Sequence, residues 1–167
     1  LTLVNRPSSN LLISGYNDAI HDGLLASILQ SLDAQNGIDE IIYFNGRSIV
    51  PVGASKYLDG SGNRPVLKHE SVPALNLTEI SGELQQSKRI VIIDGLDSTK
   101  EFHSGPASFR PVKKDEPPSP QESLKKILED GPLQGTFVIA FVDNWKRCNS
   151  SCKDLLGFFE MCRILHE

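Results

Sequence analysis

Short unbroken apolar runs, each closed by a polar residue, constrain this chain more than any other feature. Leu11-Leu12-Ile13 closes on Ser14, Ile41-Ile42-Tyr43-Phe44 on Asn45, Ile90-Val91-Ile92-Ile93 on Asp94, and the run from Thr136 to Val142 on Asp143. A strand wetted on one side alternates apolar and polar residues. A strand that does not alternate is buried on both faces, as in a parallel sheet covered by helices. Helix-period segments fall between the runs: Ile20, Leu24, Leu25, Ile28, Leu29 and Leu32 recur at three- and four-residue intervals, with Asn17 or Asp18 as cap and Asn36-Gly37 as stop. Strand, helix and strand in this order form a right-handed crossover unit. The pattern predicts an α/β domain, three layers around a mainly parallel sheet.

The remaining segments are read in the same way. From Arg47 to Pro73 the periodicity weakens, and Asp59-Gly60-Ser61-Gly62-Asn63 is a surface turn, since Pro65 rather than a helix follows it. Leu75 to Gln86 carries a helical pattern through Leu77, Ile80 and Leu84. The 103–120 stretch, with Pro106, Pro111, Pro117, Pro118 and Pro120, is a proline-rich loop or insert, with recognition by a partner as its alternative role. Ser119 caps a helix that takes Pro120 into its first turn, runs to about Asp130 and stops at Gly131-Pro132. A last helix is expected from Ser150 or Ser151 through Leu155, Leu156 and Phe159, then a strand over Met161 to Leu165.

At 167 residues and 39% hydrophobic content the chain can bury the core of one domain, 1–167. Its 17 basic and 21 acidic residues argue against a broad nucleic-acid-binding face, and Trp145-Lys146-Arg147 reads as a surface cluster. Cys148, Cys152 and Cys162 read as free thiols of a cytoplasmic protein; Cys148-x-x-x-Cys152 with His166 lacks the second ligand pair of a zinc site. No apolar run approaches the ~20 residues of a membrane span, so no membrane insertion is expected. An opening at Leu1 and a strand at the very end suggest a domain excised from a longer chain, its C-terminal strands truncated.

Chemistry in such a fold gathers at the carboxyl ends of the strands. The loop after Ser14 has the layout of a phosphate-binding loop, G-x-x-x-x-G-K-[ST]. Gly15 fills its first position, but Ile20, His21 and Asp22 stand where glycine, lysine and Ser/Thr would be. Gly15, Asn17, His21 and Asp22 are therefore the candidate cofactor-binding residues of a degenerate loop. The lysine that offsets phosphate charge is gone, and Asp18 and Asp22 add negative charge. At an effective dielectric near 20 a like-charge contact at ~4 Å costs roughly 4 kcal/mol, against the ~8 kcal/mol of a micromolar complex. His21 reads as a helix-surface residue ahead of a catalytic base. Asp94 is the candidate catalytic residue and magnesium ligand; Gly95 follows it where a second carboxylate would orient water, and Asp97 is the nearest replacement.

These motifs resemble the FtsK/SpoIIIE-type motor ATPases. Asn10-Leu-Leu-Ile-Ser-Gly15 with the helix from Ala19 to Gln35 is similar to the opening of their degenerate copies, and Arg89-Ile-Val-Ile-Ile-Asp94-Gly95-Leu96 to their second nucleotide-side strand. The segment Leu124 to Asp143 is similar to the helix that leads through a glycine into a central strand, and Phe158 to Ile164 to the step that follows. The resemblance implies a RecA-like P-loop NTPase fold and a scaffold or regulatory role in a DNA-translocase or secretion-type motor. Its partners would be the other ATPase domains of the parent chain, in a homo-oligomeric ring, with DNA reached only through the parent. No cofactor is expected, with ATP and magnesium as the alternative in a composite ATP-binding and hydrolysing domain. A protein-interaction module is the third reading.

Overall fold

The computed structural model describes residues 6–15, 17–49, 51–62, 65–84, 88–104 and 117–164. Among these residues six strands form one parallel sheet: β1 (Leu11–Ser14), β2 (Glu40–Asn45), β3 (Val66–His69), β4 (Arg89–Asp94), β5 (Thr136–Val142) and β6 (Met161–Ile164), in the order β3-β2-β4-β5-β1-β6. The connection after β1 carries the chain across to β2, whereas the one after β5 passes over β1 to reach β6. The two connections leave the adjacent strands β1 and β5 in opposite directions along the sheet.

Side-chain alternation along each strand feeds two separate cores. Leu11, Ile13, Ile41, Tyr43, Ile90, Ile92, Ile139 and Phe141 face α1 (Asp18–Asp33) and α2 (Ser55–Leu58). Leu12, Ile42, Phe44, Val91, Ile93, Val138, Ala140 and Val142 face the opposite layer. That layer holds α3 (Val72–Leu75), α4 (Leu77–Gly82), α5 (Pro120–Asp130), α6 (Trp145–Ser151) and α7 (Lys153–Leu156). Helix–sheet–helix is the expected three-layer α/β arrangement, and its layers are held by apolar burial at about 1.5–3 kcal/mol per large side chain. Asn10 ties one end of it together. Its Nδ2 donates to the carbonyls of Leu128 (2.8 Å) and Phe158 (2.9 Å), and its Oδ1 accepts from the Val138 amide at 3.0 Å.

Three elements depart from expectation. Strand β3 was hidden in the weak 47–73 region because it is an edge: its side chains are half-buried or exposed, so no buried run marks it. The helix expected over Leu75–Gln86 is two short ones, broken at Asn76, which adopts a left-handed φ of 47°. The last helix, expected from Ser150 or Ser151 through Phe159, is instead two short ones: α6 ends at Ser151, having begun at Trp145 where the Asn144 side chain caps it by accepting from the Arg147 amide at 3.0 Å, and α7 covers only Lys153–Leu156. By contrast α5 has the expected bounds, with a reciprocal capping box between Ser119 and Glu122. Residues 105–116 of the proline-rich segment, with Asn63, Gln86, Leu165 and His166 from other expectations, lie outside the described residues.

Candidate functional site

Asp94 closes β4 on the face turned toward α1, two residues beyond Ile92 and four beyond Ile90. Parallel pairing sets Tyr43 opposite Ile92 and Asn45 opposite Asp94, so the Tyr43 ring lies diagonally beside the carboxylate. The Tyr43 hydroxyl donates to Asp94 Oδ2 at 2.7 Å. Burial, reinforced by the charge and hydrogen bond of Asp94, pushes the phenol well above its ordinary pKa, so it acts as a donor throughout the physiological range.

His21 approaches Asp94 from the helix side. Asn17 caps α1 by accepting from the Ile20 amide at 3.1 Å. The buried stripe then runs His21, Leu25, Ile28, Leu29, Leu32. This corrects the reading of His21 as a surface residue: the stripe is offset by one position, His21 is buried, and Ile20 is 43% exposed. The imidazole meets the edge of Phe141 at 4.6 Å between ring centroids. Its Nε2 lies 2.9 Å from Asp94 Oδ1, an ion-pair distance without hydrogen-bond alignment, and neither atom has a hydrogen bond elsewhere.

Arg47, in the turn after β2, brings a guanidinium among the carboxylates of this region. Its Nε lies 2.9 Å from Asp143 Oδ2 and 4.0 Å from Asp94 Oδ1, while Nη2 donates to Asp18 Oδ1 at 2.5 Å. Burial works against its charge, but the hydrogen bond to Asp18 and the charges of Asp143 and Asp94 outweigh it and hold the guanidinium more firmly protonated than usual. At Asp143 the balance tips the other way. Burial there exceeds the help from Arg47, and the carboxyl sits above its ordinary range.

Gly95 makes room for this arrangement. Its φ is +92°, and a Cβ there would come within 2.8 Å of Arg47 Cγ and 3.0 Å of the Arg47 amide nitrogen. The absence of a carboxylate after Asp94 and the presence of Arg47 are thus one steric fact.

The other expected residues are distributed as follows. Gly15 donates its amide to the Val142 carbonyl at 3.0 Å and turns the chain out of β1. Asp22 accepts from the amides of Gly53 (2.7 Å) and Ala54 (3.2 Å), one on each oxygen, and so tethers the loop before α2. Asp97 is fully buried and accepts from the Asp143 and Asn144 amides and from Nε and Nη2 of Arg147. Sequence reasoning missed Tyr43 and Arg47. A lone phenol in an apolar strand, two positions short of the strand end, was the available signal for Tyr43; Arg47 followed an Asn-Gly turn and carried none.

Asp18, Ala19, His21, Asp22, Arg47, Ile49, Pro51, Val52 and Asp94 enclose a cavity of about 250 Å³. The magnesium and nucleotide of a composite ATP-binding domain are a poor match for these residues. Asp22, in the place of the metal-facing hydroxyl, has both oxygens engaged, and among the described residues no three His, Cys, Asp or Glu side chains are placed to hold a metal ion. The cavity also falls below the ~300–1,000 Å³ usual for small-molecule sites.

No family model matches the sequence, and no curated protein matches it. A solved structure described as an ATPase superposes with a TM-score of 0.55 at 14% identity, covering 91% of this chain and 61% of that one. The chain therefore spans about three-fifths of that ATPase. A likeness at this identity concerns the fold alone: a parallel α/β sheet between helix layers, arranged as in that ATPase. Among the described residues no helix is long and apolar enough to cross a membrane.

Proposed function

We propose that the chain is a degenerate FtsK/SpoIIIE-like ATPase domain that does not hydrolyse ATP and serves as a scaffold or regulatory part of a larger DNA-translocase or secretion-type motor. The observation that carries this reading is the state of Asp94. The carboxylate that would order magnesium is buried, with one oxygen taken by Tyr43 and the other against His21. The positions that would meet phosphate and metal carry His21 and Asp22, and Asp22 is spent on the 53–54 backbone. What remains is the architecture: strand, turn at Gly15 and a helix anchored by Leu25, Leu29 and Leu32.

Calorimetric titration of the chain with ATP and magnesium, beside an Asp94→Ala variant, tests this. Binding no tighter than millimolar, equal in both, is expected. Micromolar binding that the variant loses would overturn the non-hydrolytic reading in favour of a composite ATP site.

A further inference from the structure

The chain enters α5 through Pro117-Pro118-Ser119-Pro120, and Ser119 is the one serine or threonine of the sequence that directly precedes a proline. Pro117, Pro118 and Ser119 are exposed, and Pro120 is half-buried. Ser119 is extended, with φ −62° and ψ 157°, the conformation that a following proline favours. Prolines on both sides keep the segment near polyproline geometry whether or not the helix has formed. A groove that binds extended chain therefore has little backbone entropy left to remove from it. At this surface the hydroxyl donates to Glu122 Oε2 at 2.8 Å and accepts from the Glu122 amide at 3.2 Å. The Ser119 amide donates to the same Glu122 oxygen at 2.8 Å. Glu122 is itself exposed, so the acceptor oxygen lies beneath nothing but a flexible side chain. Beyond this first turn α5 is anchored by buried Leu124, Ile127 and Leu128.

We propose that Ser119 is a phosphorylation site for a proline-directed serine/threonine protein kinase, and that the phosphate displaces the Glu122 carboxylate from the cap of α5. Pro120 has no amide to offer. A kinase that must hydrogen-bond the residue after its acceptor is turned away, whereas one whose groove takes proline there is not. In the transfer Ser119 Oγ bonds to the γ-phosphorus of ATP, and the bond from that phosphorus to the β–γ bridging oxygen breaks with ADP leaving. The hydroxyl proton passes to the catalytic aspartate of the kinase. The product carries a charge of about −1.5 to −2 at neutral pH and three acceptor oxygens. Those oxygens take over the Glu122 amide, now held by the hydroxyl, and meet the positive end of the helix. They also meet the Glu122 carboxylate, and two anions repel at one amide. The phosphate is tethered to Ser119 and the exposed Glu122 side chain is free to swing away, so Glu122 is the group that leaves. The helix start survives, with a dianion displayed where the proline-rich 103–120 stretch ends.

The test is phosphorylation of the folded chain, with ATP and magnesium, by a kinase of the mitogen-activated class and separately by one that selects basic flanking residues. A peptide spanning 113–124 is run in parallel, and sites are assigned by tandem mass spectrometry. Phosphate at Ser119 is expected from the proline-directed enzyme alone. Its rate should lie within about ten-fold of that of the peptide, because only the first turn of α5 has to open. Pro120→Ala keeps the acceptor and a helix-compatible residue, and should slow the transfer about ten-fold or more; Ser119→Thr, which keeps a hydroxyl, should retain it. In the phosphorylated chain the carboxyl carbon of Glu122, followed by NMR, should titrate at higher pH than in the parent, since it has lost its donors on Ser119. No phosphate at Ser119 of the folded chain, phosphate at another hydroxyl instead, equal transfer by the two kinases, or indifference to Pro120→Ala overturns the site. A Glu122 titration unchanged by phosphorylation overturns the exchange of caps.

Discussion

Asp94 and Asp97 stand three residues apart at the end of one strand, both buried, and they are solved in opposite ways. Asp97 is surrounded by donors: two backbone amides and two guanidinium nitrogens of Arg147. Among the described residues the Asp94 carboxylate accepts a single hydrogen bond, from Tyr43, and otherwise meets only the nearby side chains of Arg47 and His21. A carboxylate whose lone pairs are filled from its own chain is a structural staple, here joining the turn after β4 to the turn after β5. A carboxylate whose second oxygen meets its neighbour at ion-pair distance without an aligned hydrogen bond, as Asp94 Oδ1 meets His21 Nε2, is less fully satisfied.

The comparison breaks most visibly at Asp97. Replacing it with alanine leaves the Asp143 and Asn144 amides without their acceptor and takes the partner from half-exposed Arg147, and a loss of about 2–4 kcal/mol in urea unfolding is expected. A loss no larger than that of Asp94→Ala would erase the distinction between the two. Gly95, between them, comes next. Alanine there meets both the left-handed φ and the Arg47 backbone, for an expected cost of roughly 2–3 kcal/mol, checked by the shift in thermal midpoint. Tyr43→Phe removes the one hydrogen bond of Asp94 and should cost about 1–2 kcal/mol. A neutral result would mean that Asp94 is satisfied by other means.

The smallest effect serves as a distant control. Ser119→Ala should cost ~1 kcal/mol at neutral pH through loss of the α5 cap. The backbone and side-chain hydrogen bonds of Ser119 hold Glu122 below its ordinary carboxylate range. A carboxylate depressed in the folded state adds stability that is fully present above its unfolded pKa, about 4.3. That contribution is lost as pH falls through the folded value. The gap between parent and variant in urea midpoint should therefore be constant from pH 5 to pH 7, to within about 0.3 kcal/mol, and narrow toward about pH 3. A gap that widens on acidification would contradict the capping box.

How much of this was legible depended on whether a residue answered to its neighbours in sequence or in space. Four strands announced themselves because burial on both faces demands unbroken apolar runs, whereas edge strand β3 is relieved of that demand and stayed hidden. The α5 bounds were legible because Ser119, Pro120 and Glu122 act within one turn. Asp94 was found at its strand end, yet its condition was not, since Tyr43 lies 51 residues away and Arg47 comes from another turn. His21 was misplaced because Ile20 and His21 differ by one step around α1. Only packing against Phe141 and Asp94 decides which of them turns inward.

The sequence by itself determined the layered α/β architecture, the turn at Gly15 and the absence of a lysine from the loop that follows. Those follow from periodicity and from residue chemistry at fixed spacing. The tertiary structure alone decided that Arg47 would enter beside Asp94, that Gly95 would admit it, and that Asp22 would be spent on the 53–54 backbone. Electrostatic balance in a buried site depends on distances of a few ångströms between groups far apart in the chain, and such distances exist only once the sheet has formed.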